Sequence, residues 1–401
     1  MNTLSPPAPL RLGSIDAYRG FVMFLMMAEV LELRHLADAF PDNATWKFLA
    51  YHQTHVEWAG CSLHDMIQPS FTFLVGTALP FSLASRAALG QSSAMRYAHA
   101  AWRSIILILL GVFLRSMHHE AHNNPTTNFT FEDTLSQIGF GYFFVFLLAQ
   151  FSPKWWWATL IAILVGYWGA FALYPLPGSE FDYATAGASS DWAYNFSGFA
   201  AHWNKNSNPA WAFDRWFLNL FPREEPFQFN HDNYSTLSFI PTLATMILGL
   251  IAGGWLKREA TAWDKLGRLV LTGGLCLGAG YALHEFGICP IVKKIWTPAW
   301  VLYSGGWCFL ILAGFYLVID AIGFGFWAFP LRVIGMNSIA AYCMAHLFQN
   351  FMVSSMQIHL GKDFFLKWGK EYEHFAIGIG VLLLYWLILF WMYRRKIFLR
   401  I

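Results

Sequence analysis

Charged side chains are scarce in this chain. They make up 12% of its 401 residues, against about 25% in a soluble domain, while 56% of the residues are hydrophobic. That shortage argues against an ordinary soluble protein and for an integral membrane protein. Neither sign of charge prevails: 26 Lys and Arg face 24 Asp and Glu, and the net charge of +2 gives a nucleic-acid partner no electrostatic support. Cysteine is sparse as well. The five cysteines form no CxxC pair, which excludes the usual zinc spacings. Cys276, Cys308 and Cys343 lie in apolar runs and read as small apolar side chains. Cys61 and Cys289 sit near span ends on one side, the single pairing for which a disulfide can be drawn. No internal repeat is visible, so an inverted-repeat transporter gains no support. A cleavable signal is also missing. The N-terminal MNTLSPPAPLRLGSIDAYRG is polar and proline-rich, and the apolar run after it is too long and lacks a small-residue cleavage site.

What the sequence does have is apolar runs. A membrane span needs about 20 such residues. Ten candidates follow: 17–33, 66–86, 103–117, 135–151, 155–174, 236–256, 267–284, 299–320, 333–352 and 375–393. The expected fold is all-α, a polytopic membrane helix bundle of about ten transmembrane helices forming one domain over 1–401. The 20 tryptophans and 16 tyrosines suit aromatic belts at the two interfaces. Placing the N-terminus in the cytoplasm puts 15 of the 26 Lys and Arg in short inner segments, from Arg11 and Arg19 to Arg394, Arg395, Lys396 and Arg400. Both termini are then cytoplasmic. The outer side holds 34–65, 118–134, 175–235, 285–298 and 353–374. The longest of these, 175–235, interleaves Trp with Asn and Asp. Such a loop suits either sugar binding or lipid headgroups. The sequons at Asn43, Asn128, Asn195 and Asn233 all fall outside and read as the asparagine content of those loops.

Ionisable residues inside spans are costly and need a reason. Glu29 lies deep in AYRGFVMFLMMAEVLEL, with Glu32 one turn later on the same expected helical face. Its alternatives are a structural pair with a neighbouring span and a functional acid. The stretch YHQTHVEWAGCSLHDMIQPSF places His55 near the outer mouth and Asp65 at the entrance of the second span. Asp65 can serve as a helix cap or as the partner of a histidine. His52 and His64 read as bystanders. The order H-x2-H-x8-H fits no zinc pattern, so no metal is expected. GMNSIAAYCMAH brings Asn337, Tyr342 and His346 into one span, and TFEDTLSQ brings Glu132 and Asp133 to the start of another. On the inner side, Arg19, Arg103 and Arg394 fit either snorkelling or phosphate binding.

The blocks RLGSIDAYRG, HVEWAGCSLHDMIQPSFTFLVG, AWRSIILILLG, LSQIGFGYFF, GMNSIAAYCMAH and YRRKIF, in this order, resemble the heparan-α-glucosaminide N-acetyltransferase family over about residues 10–401. The resemblance implies transfer of acetyl from cytoplasmic acetyl-CoA to the amine of a glucosamine on the opposite side. The H-x2-W-x-G-x4-D block, whose histidine is catalytic in the family, falls on His55, Trp58, Gly60 and Asp65. The S-x-D-x-x-R-G and W-R-S blocks fall on Asp16, Arg19 and Arg103. Where the lysosomal member has an asparagine, this chain offers Glu29. The chain is expected to lack that member's extra luminal domain and first span, and so to be a multi-pass protein of the bacterial cytoplasmic (inner) membrane. The implied catalytic residues are His55, Asp65 and Glu29. Arg19, Arg103, Asn337 and Arg394 would hold acetyl-CoA, and Trp58, His346 and Glu132 would hold the amino sugar. The expected partners are acetyl-CoA, an amino sugar and the lipid bilayer, with self-association left open. An amino-sugar transporter and an O-acyltransferase of cell-wall glycans are the rival readings.

Overall fold

The computed structural model describes residues 12–117, 126–231 and 234–399, so Arg11, Asn233 and Arg400 lie outside it. Ten helices of fifteen residues or more follow one another: α1 Gly13–Met27, α2 Ile67–Ala88, α3 Ser93–Met117, α4 Thr134–Leu148, α5 Pro153–Ala172, α6 Phe239–Lys257, α7 Ala262–Glu285, α8 Pro298–Phe315, α9 Ser338–Leu360 and α10 Glu373–Arg394. No strand occurs among the described residues, and the one isolated bridge joins Ala59 to Val292. The chain is therefore a multi-pass, all-helical membrane bundle.

The expected count of about ten spans is not reached by length and composition. Among the described residues, seven helices are long and apolar enough to cross a bilayer, or eight if Phe326–Gly335 and α9, which meet at 66°, form one span. The two that fall short, α1 and α4, have 15 residues each. At about 1.5 Å per residue each covers roughly 22 Å of a core about 30 Å thick.

The apolar run 17–33 is not one helix. α1 stops at Met27, a tight turn covers Ala28–Leu31, and Glu32 takes a left-handed backbone with φ 47°. Gln53 satisfies the backbone groups freed by the break: its amide donates to Ala28 O at 2.6 Å and accepts from Leu33 N at 2.7 Å. Glu29 and Glu32 thus do not share a helical face as the periodicity suggested, and they have different partners. At the opposite end of α1, the Asp320 carboxylate accepts from Gly13 N and Ser14 N, both at 3.1 Å, meeting the orphan donors there.

Small residues set the spacing of the central helices. A Cβ at Gly249 of α6 would lie 1.9 Å from Phe73 O of α2, and one at Gly76 would lie 1.9 Å from Met246 O. Backbone meets backbone along this contact, as small-xxx-small packing allows in membranes. Gly335 similarly abuts Asp16 O of α1. α1, α2, α6 and α8 together form the buried centre, with Tyr18, Phe73, Met246 and Phe309 wholly enclosed. The Cys61–Cys289 disulfide does not form: both are free thiols.

Candidate active site

The segment between His52 and α2 is a loop pinned from both sides. Ser62 Oγ donates to Thr54 O at 2.6 Å, and Leu63 N donates to His52 Nδ1 at 3.1 Å. His52 therefore holds the turn. Gly60 adopts φ 118°, which favours glycine, and its N–H donates to Ile291 O at 3.1 Å. This contact and the Ala59–Val292 bridge clip the loop to the α7–α8 connection. The clip brings Lys293, 238 residues distant in sequence, to His55.

Four N–H donors converge on the Asp65 carboxylate. Its Oδ1 takes His55 Nδ1 at 2.8 Å and Lys293 Nζ at 3.2 Å. Its Oδ2 takes Val56 N at 3.3 Å and Ser62 N at 3.0 Å, with Ser62 Oγ 3.0 Å away. Asp65 and Lys293 side chains are 1% and 4% exposed, whereas His55 is 48% exposed. Asp65 thus binds a histidine and a lysine; it does not serve as an ordinary cap of α2. With Nδ1 turned to Asp65, His55 presents Nε2 outward. Partial burial and then the Lys293 ammonium push the His55 pKa below its ordinary value, against the pull of Asp65. Burial works against the Lys293 charge, but Tyr234, whose ring centroid lies 5.2 Å from Nζ, and Asp65 outweigh it and raise that pKa.

His64 extends the site. Its ring lies 4.6 Å from that of His55, and its Nε2 is 3.0 Å from Glu29 Oε1. The three residues expected to be catalytic are therefore brought together, with His64 as the link. A second buried cluster begins beside them, where His346 interacts electrostatically with Glu29. His346 stacks on Tyr342 at 4.2 Å, and Tyr342 Oη donates to Asp133 at 3.1 Å. Arg115 reaches Asp133 at 3.3 Å and Glu132 at 3.6 Å. Asp133 also caps α4 by accepting from Leu135 N at 2.9 Å. Burial pushes the Glu132 carboxyl up to about 7, although Arg115 opposes it.

Arg19, Arg86, His99 and Arg103 gather at the other end of the same helices. They line a cavity of about 700 Å³ whose wall follows α2 from Phe71 to Arg86. Asp65 and Arg86 are separated by about 32 Å of helix axis at 1.5 Å per residue, close to a bilayer core. Phe71 is only six residues beyond Asp65, or about 9 Å. The Arg103 guanidinium lies over the Tyr142 ring at 4.6 Å, and its Nε has no partner. Gln68 Nε2 and Thr72 Oγ1 are buried without partners on the part of α2 nearest Asp65.

Other expected site residues are engaged differently. Trp58 is 3% exposed; it donates to Trp203 O at 3.2 Å and wedges the first loop against segment 175–235, so it offers no open sugar platform. Asn337 clamps the C-terminal tail, donating to Ile397 O at 3.0 Å and accepting from Leu399 N at 3.1 Å. Arg394 is exposed at the end of α10 and does not line the cavity. In 175–235 the asparagines serve their own backbone: Asn204 pairs with Phe196, Asn208 caps Pro209–Phe217, and Asn219 pairs with Phe227. Asp214 is buried there, bonded to Thr236 N and Asn230. Sequence reasoning did not find Lys293 and set His64 aside.

The helix bundle thus carries a buried acid pairing a histidine and a lysine at one end and an arginine-lined cavity at the other. The chain is 24% identical, over an alignment of 432 positions that covers 98% of its length, to heparan-alpha-glucosaminide N-acetyltransferase of human. It is 23% identical over 428 residues to the mouse protein of the same name. These relatives bear out the likeness read from the sequence blocks. The chain spans 60% of the length of each. No protein-family model matches it.

Proposed function

We propose that this chain transfers acetyl from acetyl-CoA, held at the arginine-lined end, to the amine of a glucosamine-type sugar at the His55 end. The observation that carries this reading is the placement of the His55–Asp65–Lys293 group and the Arg19–Arg86–Arg103 cavity at opposite ends of α2. A charged nucleotide cannot cross lipid, and an extended thioester arm suits a cavity whose wall runs along α2 from Arg86 to Phe71. Arginine is suited to phosphates, and Arg19, Arg86 and Arg103 all line the cavity. The relatives' name assigns N-acetyl transfer to an amino sugar.

In this reading Asp65 fixes the His55 tautomer and leaves Nε2 as the base. Lys293 keeps the imidazole neutral at physiological pH. The sugar amine loses its proton to Nε2 as its nitrogen attacks the thioester carbonyl, the C–S bond breaks, and CoA leaves as the thiolate. The same Nε2 would take the acetyl group first in a two-step route. Glu29, held by His64, is placed to bind the sugar ammonium, and His346 and Glu132 lie behind it. The N-terminus, C-terminus and arginine end face the cytoplasm.

The test is acetyl transfer from labelled acetyl-CoA to glucosamine by the purified protein. The wild type should form N-acetylglucosamine, and His55→Ala should abolish transfer while remaining folded. Full turnover in that variant would overturn the assignment. Sugar movement without thioester consumption would replace the enzyme with a transporter. Equal transfer to N-acetylglucosamine, which lacks the free amine, would make it an O-acyltransferase.

A further inference from the structure

Glu32, His35 and His374 form a group that the proposed reaction does not use. His35 Nε2 is 3.2 Å from Glu32 Oε2, and His374 Nδ1 is 3.1 Å from the same oxygen. The two imidazoles stack with centroids 4.6 Å apart and planes 10° from parallel, so one exposed ring must turn about its side-chain bonds for both nitrogens to face one ion. All three ligand atoms lie within 4.8 Å of one another. Ligands on a tetrahedral zinc ion at 2.0–2.1 Å stand about 3.3 Å apart. The two N···O separations already match the edges of such a tetrahedron. Each side chain is about half exposed, so an ion can enter from solvent and a water can complete the set.

The surrounding backbone holds the group in place. The left-handed Glu32 turn is braced by Gln53 on both sides of the break, through Ala28 O and Leu33 N. The opposite wall is α10. Its Gly378, one turn after His374 on the same helical face, lies so close that a Cβ would meet Val30 O at 2.4 Å. The Val30–Glu32 turn and the first turns of α10 are therefore at backbone contact. Two histidines and one carboxylate from two segments, Glu32–His35 and the start of α10, meet beside that contact.

We infer that Glu32, His35 and His374 bind a divalent transition-metal ion of the zinc class, with two imidazoles, one carboxylate and water. The ion ties the end of the first apolar run to the start of α10. Glu29 sits on the same short turn as Glu32, so an ion here also braces the residue that holds His64. This site is independent of the acetyl-transfer reading and stands or falls by itself.

The test uses untagged full-length protein in detergent, freed of metal with a chelator and titrated with Co²⁺. The expected result is one ion per chain with visible ligand-field absorption, displaced by Zn²⁺ and lost in both His35→Ala and His374→Ala. Zn²⁺ should also raise the thermal midpoint of the wild type and leave that of Glu32→Gln unchanged. Wild-type protein that takes up no Co²⁺ overturns the proposal, as does binding that persists undiminished in both histidine variants. The midpoint of metal-free Glu32→Gln reports whether that variant is folded.

Discussion

Asp65→Asn changes one oxygen to an amide nitrogen in the most crowded polar position of the protein. The carboxylate accepts from two N–H donors on Oδ1 and two on Oδ2. An asparagine offers one accepting oxygen and one donating NH2, so either orientation sets donors against two of the four. It also strips the charge partner from Lys293, which is 4% exposed. Removing one member of a buried ion pair costs about 3–5 kcal/mol, because the other charge is left uncompensated. Lys293→Met should cost a comparable amount by exposing the Asp65 charge to an apolar neighbour. The double variant leaves no charge stranded, and replacing a whole buried pair is often close to neutral. Its loss should therefore fall well below the sum of the single losses. Equilibrium unfolding in mixed detergent micelles measures all four proteins. Acetyl transfer should behave otherwise: Asp65→Asn should lose about 10²–10⁴-fold, the usual contribution of a positioned base, and the double variant should not recover it. Additive stability losses, or unchanged stability in Asp65→Asn, would refute the pairing.

Lys293→Met should also move the acid limb of the pH–rate profile. The cation lowers the His55 pKa, so wild-type His55 stays an unprotonated base to lower pH than an ordinary histidine. Removing the cation should shift the limb to higher pH; a shift downward, or none, contradicts the assignment. Arg103→Ala should raise KM for acetyl-CoA about tenfold to a hundredfold, from the loss of one charged hydrogen bond worth about 1.5–3 kcal/mol, with kcat little changed. An unchanged KM would leave Arg103 a packing residue on Tyr142. Glu132→Gln should flatten the dependence of stability on pH. Glu132 keeps its proton in the fold up to about pH 7, against 4.5 for the unreacted carboxyl of the unfolded chain. Its contribution is greatest below 4.5 and is lost as pH rises through 7. The wild-type thermal midpoint should therefore fall over that window more than the variant's, and parallel profiles would argue against a buried, protonated Glu132.

The helices were legible because apolar length alone marks them, and each expected run holds one of the ten principal helices. The end of the first run was not legible. No glycine or proline marks the break at Met27; Gln53, from a different helix, satisfies its backbone. The His55–Asp65 pair could be read from local spacing, since one short loop carries both. Lys293 could not, because IVKKIW shows two adjacent lysines, and only the backbone clip at Gly60 and Ala59 selects one of them. Tyr342 and Asp133 meet across 209 residues for the same reason. In segment 175–235 composition could not show that Asn204, Asn208 and Asn219 cap and brace the loop they belong to.

The most direct test is sidedness. Protein is reconstituted in one orientation into sealed vesicles, with labelled acetyl-CoA only on the Arg103 side and glucosamine only on the His55 side. The account predicts labelled N-acetylglucosamine in the glucosamine compartment and free CoA thiol in the other. Product that appears only when donor and acceptor share one compartment would contradict it.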